Sequence, residues 1–254
     1  MTITRATPEV YQSLNAAGAV NITTRSGTDE WHGNLFGNYR DRRAGLAGFP
    51  SGDPKYSRQH YGFGVGGAVI KDKAFLFLSG ERFKQDGQLP FYQGFPYAFL
   101  NLRDASDRDN MLTARLDYNL SENAKWFVRL SYDNAKQFGP TDSWSKFQDQ
   151  VNVPAAVVGL DWNQGRFAHS GRFGYQKLVN AINPAFGQDS LLVPNHSAIH
   201  EQIGSFALGP SNAGPRQTIQ RDLFGRYDGR TNYRGVHTLR FGGAVHRITQ
   251  GDFY

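Results

Sequence analysis

Apolar and polar side chains alternate with a period of two over much of this chain. In MLTARLDY, Leu112, Ala114, Leu116 and Tyr118 share one side while Thr113, Arg115 and Asp117 share the other. In KWFVRLSYD, Trp126, Val128, Leu130 and Tyr132 oppose Phe127, Arg129, Ser131 and Asp133. AVVGLDW (156–162) and TLRFGGAVHR (238–247) repeat the pattern, with Asp161, Arg240 and His246 on the polar side. Period two is the signature of a strand with two unlike faces. It predicts strands at 17–25, 31–41, 59–70, 73–84, 109–119, 124–136, 154–163, 166–179, 220–231 and 236–248. No long window carries Leu and Ala at helical spacing, and none approaches 18 consecutive apolar residues, the span of a transmembrane helix.

The connections between these strands take turns in length. Long ones at 42–58, 85–108, 137–153 and 180–219 alternate with tight turns at Lys71-Asp72-Lys73, NLSEN (119–123), NQGR (163–166) and NYRG (232–235). A meander of this kind puts every tight turn at one end, the layout of transmembrane β-barrels. Greek-key sandwiches scatter loop lengths between both ends. The expected fold is therefore all-β: an antiparallel up-and-down meander forming part of a transmembrane outer-membrane β-barrel. Trp31, Tyr118, Trp126, Trp162 and Tyr175 suit an interfacial aromatic girdle. A half-buried soluble sheet shows the same alternation, so a soluble all-β carbohydrate-binding or hydrolytic domain remains an alternative, as does a passive porin or adhesin-like barrel.

Composition sharpens this picture. The 254 residues include 29 Gly, 19 Phe, 12 Tyr and 4 Trp, but only 2 Met and no Cys. Without cysteine there are no disulfides, thiolate metal sites or cysteine nucleophiles. The net charge is +6, with Arg dispersed among aromatic residues inside strands rather than gathered in a stripe, which argues against a nucleic-acid partner. The opening MTITRATPEV has no apolar segment of the kind a secretory signal carries.

Candidate chemistry is sparse. Gly62, Gly64 and Gly67 in HYGFGVGGAV match the dinucleotide-binding spacing G-x-G-x-x-G. The polar, proline-broken lead-in and the strand-like AVIKDKAFLFLSGERF that follows lack the buried strand and helix that the motif needs. Gly62, Gly64 and Gly66 instead fall on one strand face, where small residues ease strand curvature or the close approach of another backbone, and Gly67 completes the spacing by chance. His196 and His200, with Glu201 beside them, do not form H-E-x-x-H, and Ser143 with Lys146 lacks the companions of the S-x-x-K enzymes. No catalytic set, cofactor site or metal site emerges, and the chain reads as a non-enzyme. Arg115, Asp117, Arg129, Asp133, Arg172 and Arg240 are candidate lumen-facing polar residues.

Specific motifs add a family likeness. AAGAVNITTRSGTDEWHGNLFGNYR (16–40) resembles the junction between plug and first barrel strand in TonB-dependent outer-membrane receptors, most of all the Oar-like subgroup. The matching positions are Gly18, Val20, Asn21, Thr24, Arg25, Ser26, Gly27 and Thr28, then His32 and Gly33. YGFGVGGAVIKDKAFLFLSGERF resembles the family's second hairpin, with Ala68 in place of the usual proline. DNMLTARLDYNLSENAKWFVRLSYD and DGRTNYRGVHTLRFGG are similar to later hairpins. The resemblance implies that residues 1–28 end a plug domain and that 29–254 begin the barrel with about nine strands. It also implies ligand-gated import of a bulky solute energised by the TonB complex, in an outer-membrane lipid setting. The family's barrels have about 22 strands, whereas single-chain bacterial barrels close with even numbers. An odd strand count therefore points to a section of a larger barrel, the alternative being a small closed barrel of about 8–10 strands.

Overall fold

The computed structural model describes residues 2–4, 19–21, 25–41, 56–89, 103–140, 146–184, 201–204, 206–208, 215–233 and 237–253. Its strands in chain order are β1 (Thr2–Thr4), β2 (Ala19–Asn21), β3 (His32–Asp41), β4 (Ser57–Ile70), β5 (Ala74–Leu89), β6 (Arg103–Ser121) and β7 (Ala124–Pro140). They continue with β8 (Lys146–Gln164), β9 (Phe167–Pro184), β10 (Glu201–Ile203), β11 (Phe206–Leu208), β12 (Arg216–Tyr233) and β13 (His237–Phe253). Nine of them form one sheet in the order β13-β12-β9-β8-β7-β6-β5-β4-β3, each pair antiparallel. This is the expected up-and-down meander. The remaining strands make two small hairpins, β1 with β2 and β10 with β11.

The tight turns behave as their residues dictate. Asp72 takes φ 61°, a left-handed conformation that a short Asp side chain tolerates, and Gly165 takes φ 59° in NQGR. A bulge between Asn119 and Ser121 closes the β6–β7 hairpin.

Strand ends differ from expectation. β6, β8 and β12 begin at residues 103, 146 and 216 rather than near 109, 154 and 220, while β7, β9 and β13 run on to 140, 184 and 253. These extensions belong to strands of up to 19 residues, well beyond the roughly 9–11 that cross a bilayer. The connection expected over 137–153 shrinks to 141–145. Gly139 and Pro140 read as breakers there, yet Pro140 is only the last residue of β7. Pro154 sits inside β8 opposite Tyr132, while the ladder to β9 skips from Asn152 to Ala155. A residue without an N–H costs the ladder locally and does not end the strand. Of the strand expected over 17–25, only Ala19–Asn21 is described as one.

Register sorts the side chains into two faces. Gly67, Leu76, Leu116, Val128, Val158, Phe173, Gly225 and Val245 form one row across the sheet. The adjacent row, on the other face, holds His32, Gly66, Phe77, Arg115, Arg129, Val157, Gly174, Phe224 and His246. The apolar face has no second layer among the described residues. Leu130 is 53% and Phe173 56% exposed, and Ala74 is the one buried apolar residue described. An apolar sheet face this large, left in water, is an association or membrane surface.

Aromatic side chains edge the apolar band near the tight turns. Tyr118 stacks on Trp126 at 5.9 Å, Trp162 on His169 at 4.8 Å, and the Tyr227 hydroxyl meets His169 Nδ1 at 2.6 Å. Tyr61, Tyr132 and Tyr175 lie farther along their strands, away from those turns. Tyr175 thus belongs with this second group rather than with Trp31, Tyr118, Trp126 and Trp162.

The abundance of Gly and Phe also has a structural cause. Phe36, Phe77, Phe127 and Phe224 stand directly opposite Gly62, Gly66, Gly159 and Gly174 on the polar face, and Phe63 and Phe241 stand opposite Gly80 and Gly229 on the apolar face. In each pair the ring occupies the space that a Cβ on the glycine would need. The ring covers backbone that the glycine leaves bare, so cross-strand Phe–Gly pairs pack where two large side chains would collide.

Candidate functional site

Residues 25–31 lead into β3 without joining the sheet, and they are tied to it at several points. The Ser26 hydroxyl donates to Asp117 Oδ2 at 2.8 Å, across 91 residues of sequence. The same carboxylate accepts from Arg115 Nε at 2.9 Å and Nη2 at 2.8 Å, and both side chains of that ion pair are about 85% shielded from solvent. Gly27 lies on the strands themselves: a Cβ there would sit 2.6 Å from the Leu76 carbonyl oxygen and 2.8 Å from that of Gly67. Asp29 Oδ1 accepts from the Asp72 amide at 3.0 Å in the Lys71-Asp72-Lys73 turn. Trp31 then reaches the apolar face, where its indole covers Gly67 and its Nε1 donates to the Ala68 carbonyl at 2.9 Å.

The glycine run therefore has two distinct uses. Gly66 receives a foreign backbone, with the Gly27 Cα 3.4 Å from where its Cβ would stand. Gly67, read from the sequence as incidental, holds the Trp31 ring on the opposite face, because a side chain there would displace the indole.

All six candidate polar residues fall on the polar face, as the register requires. Three of them share one cluster. The Arg115 and Arg172 guanidiniums lie 4.3 and 4.9 Å from the Phe127 ring centre. This cation–π arrangement lets two like charges share one ring. Asp117 balances Arg115, and Asp161 balances Arg172 through bonds of 2.7 and 2.9 Å to both oxygens. Arg129 stands directly opposite Arg115 in the next strand. Asp133 lies opposite Met111 and Val153, apart from this cluster. Arg240 is opposite Arg230, and together with Asp161, Arg226 and Asp228 these residues border a hollow of about 1130 Å³ at the tight-turn end.

Several partners were not singled out from the sequence. Asp161 and Arg172 flank the NQGR turn, so a hairpin drawn about Gly165 would have placed them within reach. Arg226 and Asp228, joined at 2.6 Å, are two apart on one strand face, as are Arg115 and Asp117. Farther from the tight turns, His60 Nε2 meets Glu81 at 3.2 Å between the rings of Phe36 and Phe83. That pairing depends on the β4–β5 register and has no local signal.

Gly18 and Thr24 lie outside the described residues, as do Ser143, His196 and His200. Asn21 is described as a strand residue, and Arg25 is exposed. Among the described residues no group of three or more His, Asp or Glu side chains could hold a metal ion.

A family model for an outer membrane beta barrel domain matches residues 23–100 and 88–254. No curated protein and no solved structure matches the chain. The meander, the tight turns at one end, the uncovered apolar face and this match, which spans all but the first 22 residues, agree with one another. The chain belongs to the outer membrane beta barrel domain family, and its place is the bacterial outer membrane with the apolar face against lipid.

Proposed function

We propose that the chain forms part of the wall of a ligand-gated importer like the TonB-dependent receptors, with residues 1–28 as the end of a plug lying inside the barrel. The polar face lines the lumen in this reading. The tight turns face the periplasm, and the connections at 42–56, 90–102 and 185–215 face outside, where variable loops carry ligand selectivity. The imported solute is bulky, and the TonB complex supplies the energy that displaces the plug. No reaction is assigned to the chain. β3 and β13 each present a free edge among the described residues. Such edges are untenable in a bilayer, so in this reading they pair with further strands of a larger barrel.

The observation that carries the reading is the attachment of residues 25–31. Their Ser26–Asp117 and Asp29–Asp72 bonds and the Gly27–Gly66 contact hold the segment just ahead of β3 against the polar face beside the β4–β5 turn, as the anchored end of a plug would be. A passive porin has no use for such an anchor. The absence of native cysteine makes a direct test simple. Ser26→Cys with Asp117→Cys should be joined by a short bis-maleimide in outer membranes. Energising cells that have an intact TonB complex should lower the yield several-fold, and removing the complex should restore it. A yield indifferent to the complex would favour the porin reading.

A further inference from the structure

Basic side chains collect on the apolar face at the end remote from the tight turns. Lys84, Arg108 and Lys136 stand directly opposite one another in β5, β6 and β7, and Lys177 stands directly opposite Arg221 in β9 and β12. Arg247 of β13 shares this level, opposite Leu223 two residues along from Arg221. Like charges directly opposite on one sheet face are destabilising. In the first group Asp86 offsets this cost, binding Arg108 at 2.5 Å and Lys84 at 3.4 Å. Lys177, Arg221 and Arg247 have no carboxylate with them among the described residues of that face.

Below these three cations the same strands form a trough. Gly171, Gly225 and Gly243 line a hollow of about 760 Å³ with Phe173, Tyr227 and Val245. Unlike the glycines capped by Phe, a Cβ on Gly225 or Gly243 would meet no atom within 4 Å. Two features thus coincide on β9, β12 and β13: an open apolar trough within the lipid-facing band, and at its outer end a cationic triad with no carboxylate beside it among the described residues. The first suits a hydrocarbon chain, and the second suits an anion at the membrane surface.

We propose that Lys177, Arg221 and Arg247 bind the phosphate of an acylated, phosphate-bearing glycolipid of the outer leaflet, with one acyl chain lying along the Gly171–Gly225–Gly243 trough. Charge complementarity selects the headgroup, since a guanidinium and an ammonium both form charge-assisted bonds to phosphate oxygens. The leaflet rests on the orientation proposed above, in which the tight turns face the periplasm. The site itself does not depend on that orientation.

The test uses the full chain extracted from outer membranes into mild detergent, with bis-phosphoryl lipid A as the probe. Wild type should retain the lipid through washing. The triple variant Lys177→Gln, Arg221→Gln, Arg247→Gln should retain at least about tenfold less, and fully dephosphorylated lipid A should bind wild type as poorly. Gly225→Leu, which fills the trough but leaves the cations, should also weaken retention. Heat-modifiable gel migration identifies folded protein, so only folded variants are compared. Equal retention by wild type and the folded triple variant overturns the site, as does equal binding of the dephosphorylated lipid. Labelling of Lys71→Cys by an impermeant maleimide in intact cells overturns the orientation, and with it the outer-leaflet assignment, even where binding persists.

Discussion

Leu130→Arg should destabilise the membrane-inserted chain by about 2–4 kcal/mol, the cost of a cation near the midplane of a barrel's lipid face. Leu130 stands in the middle of β7 between Ala114 and Ala156, two small neighbours directly opposite it on either side. Its side chain is 53% exposed, with no polar group on the flanking strands at that level to receive a guanidinium. In water the same exposed position would tolerate arginine, since surface substitutions usually stay within about 0.5 kcal/mol. The size of the effect therefore reports the solvent that the face meets. Ser131→Arg, one residue on and across the sheet, is the control and should be nearly neutral. Denaturant unfolding from lipid vesicles measures both.

Gly27→Val should detach residues 25–30 from the sheet while leaving the strands folded. The valine Cβ would have to occupy space 2.6 Å from one strand carbonyl and 2.8 Å from another. These are backbone atoms of β4 and β5, held in the ladder by Gly67–Leu76 pairing, so they cannot yield as a side-chain tip would. Overpacking of this kind costs about 1–3 kcal/mol, enough to lower the docked population roughly 5- to 150-fold. Asp117 keeps its two bonds to Arg115 after the Ser26 hydroxyl leaves, so the wall itself should be little affected. The yield of the 26–117 cross-link should fall accordingly relative to the same double-cysteine chain with Gly27, and thermal stability of the barrel section, measured with Asp117 in place, should be unchanged. Undiminished cross-linking would mean that residues 25–30 do not lie where Gly27 places them.

Much of the fold was legible because the apolar face imposes strict alternation. Leu112 to Tyr118 and Trp126 to Tyr132 could be assigned to one face before any pairing was known. The turns were legible from Asp72, Asn123 and Gly165, where the chain needs a tight or left-handed bend. What escaped notice was governed by pairing across strands. The outer end of β6, residues 103–108, is polar on both faces and reads as loop. In β8, Phe147, Val151 and Val153 alternate with Gln148, Gln150 and Asn152 but lie on the face opposite Val158 and Leu160, so the run does not continue the apolar face of 156–162. Pro154 disguised β8 further, since a strand bonded on two sides seldom accepts proline. Each Phe–Gly pair joins residues from adjacent strands, and only the register reveals that Phe127 covers Gly159 or that Phe224 covers Gly174. Lys177, Arg221 and Arg247 escaped for the same reason, being 26 to 70 residues apart along the chain and neighbours only in the sheet.

The wall-like, two-faced character of the sheet is tested most directly by single spin labels at each position from Lys125 to Asp133. The cysteine-free background makes every site unambiguous. Collision with oxygen, which concentrates in lipid, should peak at Trp126, Val128, Leu130 and Tyr132. Collision with a water-soluble nickel complex should instead be greater at Phe127, Arg129 and Ser131. Loss of this alternation, or ready access of the nickel complex to Val128 and Leu130, would contradict a strand that lines lipid on one side and a polar interior on the other.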